Sequence, residues 1–463
     1  MREGRSPSPA EPGWGWLGAV SLVLALVGIV LLVAGLLESA LGGLDGGRPT
    51  NTAFVAGAVC GLLSVLAGVV GWLKTKGRGA VRAWPVFAGL IGVLVLVVGA
   101  RGAYENRARP AAECRNWDSP AASSPASNVL TGVAATSASN AWAVGRCSGG
   151  GPDKTFILHW HGSTWERQPS PNVGWKINTL DGVAAASPSD AWAVGQYAPE
   201  GVSAYRPLIV HCDGTRWTRQ PTPNDGQPFY SLRGVAAISS SDAWAVGPGP
   251  SGAVILHWDG TAWTQLAVPE LGPGIYPSLY GVAATSSSDA WAVGSYGWLT
   301  GEPLQGVIFH WDGAAWTSQP IPHVGTGGNF LSAVTATSPS NAWAVGWRWH
   351  EDGTEQRALI LHWDGEAWTH QPSPETSLGI GSGESLNGVA AASPSNAWAV
   401  GTRGQDRLVL CWNGSTWEEL PSPSVGTDAN ILNGVTALSA SHGWAVGVNG
   451  DGTVARTLVA PCQ

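Results

Sequence analysis

Charge is scarce in this chain: Asp, Glu, Lys and Arg make up only 12% of its 463 residues, about half the share of an average soluble domain. That scarcity speaks against an ordinary cytosolic enzyme. Positive charge is shorter still, with a formal net charge of −8, and this argues against nucleic acid as a partner. No two of the six cysteines form a C-x-x-C pair, which removes support for a zinc ribbon or a thioredoxin-like site. What the chain has in excess is glycine (64), proline (32) and tryptophan (27). An all-β chain with many turns fits such a composition, and one β-propeller can take up far more residues than an average domain.

The N-terminal region holds three uncharged apolar runs, 16–37, 53–73 and 83–100. Each is long enough to cross a hydrocarbon core of about 30 Å as a helix rising about 1.5 Å per residue. Three transmembrane helices are therefore predicted, within a membrane region and linker at 1–113. Trp14, Trp16, Trp72 and Trp84 stand at the run ends, where amphipathic indoles favour the membrane interface. Lys74, Lys76, Arg78 and Arg82 fill one connecting loop, whereas the other carries Glu38, Asp45 and Arg48. Retention of positive charge on the inner side then predicts a plasma-membrane protein, with lipid as a partner, its N-terminus cytoplasmic and its C-terminal region extracytoplasmic.

From residue 130 the sequence repeats. A segment of the form LxGVAAxSxS[ND]AWAVG recurs with its tryptophan at 142, 192, 244, 291, 343, 398 and 444, a period of about 50 that implies stacked supersecondary units. A second segment, ILHWDGTAW at 255–263, alternates with it and closes on Trp165, Trp217, Trp263, Trp316, Trp368 and Trp417. Each unit reads as four short strands: GVAA, AWAVG, ILHW and the strand after the Asp-Gly turn. Small residues in the first strand suit the crowded centre of a radial array, and the indoles fill the widening space further out. The predicted fold is all-β, a seven-bladed β-propeller of four-stranded blades at 114–463, preceded by the three transmembrane helices.

The pattern resembles the kelch family of propellers, which pair a Gly-rich strand end with an aromatic-Asp and Trp spacing in the third and fourth strands. Gly247, Trp258, Asp259 and Trp263 occupy those places. The chain departs from that family in having one glycine where a doublet is usual and Trp where Tyr is usual. The run DGTAW also looks like the Asp-box of sialidase-type propellers, one residue short. The resemblance covers 114–463 and implies a binding scaffold or, in some members, an oxidase.

The last repeat lacks its fourth strand, and the segment around Trp117 is expected to supply it, closing a monomeric ring with the chain's own N-terminal strand. Cys114 and Cys462 would then face one another and are candidate disulfide partners in an oxidising exterior. The aligned His159, His211, His257, His310 and His362 sit on third strands in different blades, so they are read as packing residues rather than metal ligands. The preceding Asn140, Asp190, Asp242, Asp289, Asn341 and Asn396 are read as turn formers. No metal and no cofactor is expected.

Function is expected where the repeats disagree, on loops at the end of the propeller opposite the short uniform turns. The candidate ligand-binding residues are Trp175, Tyr230, Tyr296, Trp298, Trp347, Arg348 and Trp349. Aromatics beside charge on a rigid scaffold fit a glycan, peptide or protein ligand. The reading is a membrane-anchored extracytoplasmic binding module. The alternative is a glycan-acting hydrolase or a kelch-type oxidase, but first-strand positions near the axis offer almost only Gly, Ala, Val and Ser, which leans away from catalysis.

Overall fold

The computed structural model describes residues 127–458 apart from 149–151, 202–203, 224–230, 298–303, 323, 326, 351–352, 354, 375–382, 423–429 and 450–453. Within them the chain forms six four-stranded antiparallel sheets and one three-stranded sheet, each in simple sequential order. The first blade shows the plan: inner strand Ser127–Ser137, second strand Asn140–Ser148, third strand Lys154–Trp160 and outer strand Trp165–Gln168. The other five blades begin at Ile177, Gly234, Ser278, Asn329 and Glu384, and the three-stranded sheet runs from Asn430 to Leu458. Each inner strand lies beside the inner strand of the next sheet, and that of the three-stranded sheet returns to that of the first blade.

The fold is thus an all-β, Trp-rich propeller, and two expectations are corrected. Among the described residues six blades are four-stranded, not seven; the last strands, Asn430–Ser439, His442–Asn449 and Val454–Leu458, form a sheet of three. Counting AWAVG motifs counts second strands, and a second strand does not guarantee an outer one. No helix occurs among the described residues, and none there is long and apolar enough to cross a membrane. The predicted transmembrane helices, and the plasma-membrane location that depended on them, thus have no support among the described residues. Run length is necessary for a span but does not make one. The runs 16–37, 53–73 and 83–100 lie outside the described residues, as does Trp117 with its proposed closing role.

The core lies between blades. Every AWAVG strand presents its Trp and Val to the next sheet, as Trp192 and Val194 pack with Leu232, Ala243, Leu256 and Trp263. The indole of Trp192 is fully buried and meets Trp263 of the following blade edge-on, 5.1 Å between centroids at 87°. The same contact recurs as Trp142–Trp217, Trp244–Trp316, Trp291–Trp368 and Trp343–Trp417. Perpendicular aromatic pairs place a ring edge against a negative face, and that geometry favours one register between neighbours. Trp444 and Val446 close the cycle by packing with Leu130, Phe156 and Trp165 of the first blade.

At the uniform end, the Asp-Gly turns hold themselves. Asp259 Oδ1 accepts from the backbone N–H groups of Thr261 and Ala262 at 2.8 and 2.9 Å and from the Thr261 hydroxyl at 2.6 Å. Those donors lower the Asp259 pKa to about 2, the Thr261 hydroxyl first. Gly260 then adopts φ 91°, a conformation glycine reaches without steric cost. Short, self-satisfied turns leave the opposite end of the ring to the long variable loops.

Candidate ligand-binding site

Six of the seven inner strands break register near each end, and the first of these breaks sets up the site. In the first blade Leu130 pairs with Gly145 and Gly132 with Val144, leaving Thr131 as a bulge. Asp181, Tyr280, Ser332, Asn387 and Asn433 are bulged in the same way, and Arg233 precedes Gly234 at the matching place in the third blade. A bulge re-aims its side chain out of the regular alternation. The residue after it is glycine in every sheet but the fifth blade, where Ala333 replaces it. A Cβ on Gly182 would lie 2.8 Å from the Arg233 carbonyl oxygen, and one on Gly281 2.9 Å from Ala333 Cα. Neighbouring inner strands therefore meet backbone to backbone, and the bulged residues follow one another around the innermost ring.

Over most of this ring the bulged side chains latch one blade to the next. Thr131 Oγ1 donates to the Leu180 carbonyl at 2.6 Å, Asn387 Nδ2 to the Leu432 carbonyl at 2.9 Å, and Asn433 Nδ2 to the Leu130 carbonyl at 2.8 Å. Arg233 pairs with Asp181 of the preceding blade at 3.3 Å. Burial pushes the Asp181 carboxyl up, whereas the Arg233 and Arg146 guanidiniums pull it down. Arg146 is exposed, and the Arg233 side chain is 39% exposed against 15% for Asp181. The cations thus face solvent more than the acid between them.

Between the fourth and fifth blades an aromatic row replaces the latch. Tyr280 meets Phe330 at 4.8 Å, Phe330 stacks on Trp347 at 5.6 Å and 9°, and Trp347 meets Trp349 edge-on at 5.9 Å. Phe330 and Trp347 are cross-strand partners, and Trp347 and Trp349 share a face by strand alternation. All four rings are partly exposed. The row crosses the seam between two blades and ends on the strand Asn341–Trp349 at the variable-loop end.

Of the predicted site residues, Trp347 and Trp349 are brought together here. Arg348 lies on the other face of the same strand, where its charge, after burial, lowers the His370 pKa. Tyr296 is partly buried against the core between the third and fourth blades. Trp175 is 61% exposed on a loop whose Trp175 backbone N–H donates to the Ala198 carbonyl at 2.9 Å. Tyr230, Trp298, Cys114 and Cys462 lie outside the described residues. No disulfide joins two described cysteines: Cys147 and Cys212 are free thiols, and Cys411 is disulfide-bonded. Asp181, Arg233, Tyr280 and Phe330 are missed by the loop-based expectation, and axial positions are not limited to small residues. The available signal is the x of LxGV, which reads Thr, Asp, Arg, Tyr, Ser, Asn and Asn in successive repeats.

The aligned histidines belong to the scaffold. Each stacks on or tilts against the Trp of its own blade, as His159 on Trp142 at 3.5 Å and His310 on Trp291 at 4.1 Å. Their Nε2 atoms bond Asn140, Asp190, Asp242, Asp289 and Asn341 at 2.8 to 3.3 Å. Those residues therefore bind across to the third strand and do more than form turns. Among the described residues no group of three His, Cys, Asp or Glu side chains is placed to hold a metal ion.

No protein-family profile and no curated protein matches the chain, so the kelch-like spacing is carried by the motif alone. Solved structures are similar at the level of a propeller. YCF48 bound to D1 peptide aligns at 17% identity and a TM-score of 0.47, over 76% of this chain and 99% of that one. The fucose-specific lectin from Aleuria aurantia aligns at 13% and 0.38, over 60% and 95%. A polysaccharide lyase, PL25 ulvan lyase, aligns at 9% and 0.44, over 73% and 95%.

Proposed function

We propose that the propeller is a binding module whose ligand lies across the variable-loop end, on the aromatic row and the polar bulge ring beside it. The observation that carries this reading is the continuous row Tyr280–Phe330–Trp347–Trp349 across a blade seam. Packing alone does not need it: the seam is already filled by Trp291 and Trp368, with Val293 and Leu331 beside them. Partly exposed aromatics on a rigid scaffold offer large contact area at small entropic cost. The catalytic alternative gains no paired carboxylate here, since the neighbours acting on Asp181 are arginines.

The test is a glycan and peptide array with the full chain, repeated with Trp347→Ala. Binding to at least one class of ligand that falls about tenfold or more in the variant is expected, as for a central aromatic contact. Equal binding by both proteins would place the ligand elsewhere and overturn the reading.

A further inference from the structure

The bulge ring beside the aromatic row carries an unbalanced charge. Arg233 and Arg146 both act on Asp181, lowering its pKa against the burial that raises it. Two guanidiniums against one carboxylate leave one surplus positive charge, in a chain whose formal net charge is −8. The geometry leaves that surplus available. Asp181 touches Arg233 through Nη1 alone, at 3.3 Å, whereas a guanidinium has five N–H donors in a planar fork. Arg233 and Tyr280 occupy consecutive ring positions, and the glycine after Arg233 packs on Tyr280: a Cβ on Gly234 would lie 2.9 Å from the Tyr280 carbonyl oxygen. Stacking surface and anion donors thus sit side by side.

We propose that the Arg233–Arg146 pair is the specificity-determining part of the site, and that it selects an acidic glycan by holding a carboxylate or sulfate of a sugar stacked on the aromatic row. This rests on the binding reading above. A pyranose offers an apolar C–H face to an aromatic ring while its acidic group projects from the ring edge, so one sugar unit engages both parts. Charged hydrogen bonds to guanidinium are stronger than neutral ones and suit planar, bidentate acceptors. Asp181 holds Arg233 by an ion pair at 3.3 Å and offsets part of the positive charge. The axial Ser332, which forms no blade-to-blade latch among the described residues, adds a hydroxyl on the far side of Tyr280.

The experiment measures binding of the full chain to polygalacturonate, dextran sulfate, neutral dextran and polyglutamate at fixed ionic strength. Both acidic glycans are expected to bind above neutral dextran, and the tighter of the two identifies the preferred anion. Arg233→Gln is expected to lower that affinity about tenfold to a hundredfold, the contribution of a hydrogen bond to a charged group, and Asp181→Asn to raise it. Arg146→Gln, at an exposed position, is expected to weaken binding severalfold and serves if the Arg233 variant does not fold. Neutral dextran bound as tightly, sensitive to Trp347→Ala but not to either arginine, would overturn the anion proposal and leave the aromatic site standing. Preference for polyglutamate would replace the glycan with an acidic peptide. Binding of none of the four in a Trp347-dependent way would overturn both.

Discussion

Two arcs of the same ring solve one packing problem differently. From the sixth blade round to the third, neighbouring inner strands are tied by polar side chains: Asn387 to Leu432, Asn433 to Leu130, Thr131 to Leu180, and Arg233 to Asp181. Between the fourth and fifth blades the tie is a pair of rings, Tyr280 on Phe330. The Asn387, Asn433 and Thr131 latches turn their donors inward onto a neighbour's carbonyl and leave little for a ligand; Arg233, held by the Asp181 carboxylate, is the exception. An aromatic tie leaves ring area partly exposed and extends outward through Trp347 and Trp349. The arcs share a scaffold and differ in what they leave available.

That comparison breaks if the scaffold beneath the arcs is unequal. Trp192 lies under the latched arc and Trp343 under the aromatic one; both are fully buried and both meet a Trp of the next blade edge-on. Replacing either with Ala is expected to cost about 3 to 5 kcal/mol, as for other buried aromatics. Chemical denaturation of the two variants checks this. A difference well beyond about 1 kcal/mol would mean that the arcs differ in their cores and not only at the axis.

The latches themselves come next in size. Asn433→Ala removes a donor from the Leu130 carbonyl at the junction of the last sheet and the first blade. An expected cost of about 1 to 2 kcal/mol follows from the lost hydrogen bond and the carbonyl left behind. Ser332→Ala, in the aromatic arc, is expected to change stability by less than about 0.5 kcal/mol, since no latch is lost. Equal costs at the two positions would erase the distinction between the arcs.

A pH titration separates the shared scaffold from the arcs again. His159, in the first blade, has its pKa lowered to about 4, chiefly by burial and then by His161. His362, in the fifth, is also lowered by burial. A group more basic in the unfolded chain takes up its proton there first, so its contribution is fully present above pH 6.5 and is lost as pH falls towards about 4. His159→Gln is therefore expected to flatten the fall in Tm over that window, and His362→Gln to flatten it in the same direction. An unchanged profile in either variant would show that its histidine takes up its proton at the same pH in the folded and unfolded states.

The scaffold was legible because it repeats with a fixed chemistry. AWAVG alternates small and large residues with the period of a strand, and a buried indole in every copy leaves few alternatives to interblade packing. The number of complete blades was not legible, since an outer strand of three or four residues such as Trp417–Glu419 carries almost no pattern of its own. The axial site was hidden by the bulge. Strict alternation pairs the x of LxGV with the solvent or the neighbour, but an inserted residue changes where it points, and only the ladder shows the insertion. Variation at x, from Thr131 to Asp181, Arg233 and Tyr280, is as large as in any loop. Searching loops for divergence finds Trp347 and Trp349 and overlooks the partners on the inner strands.

The smallest expected effect tests whether exposure alone makes a site. Trp175 is the most exposed aromatic among the described residues, and exposure is the usual reason for assigning such a residue to ligand binding. Among the described residues it belongs to no ring-to-ring contact, however, and its loop is held by backbone hydrogen bonds, including its own N–H to Ala198. An isolated exposed indole is common on protein surfaces and needs no ligand to explain it. Trp175→Ala is therefore expected to leave stability within about 0.5 kcal/mol and to leave binding to the array unchanged, while Trp347→Ala removes it. Should the Trp175 variant lose binding and the Trp347 variant retain it, recognition would belong to the loops, and the aromatic arc would be one more way of joining two blades.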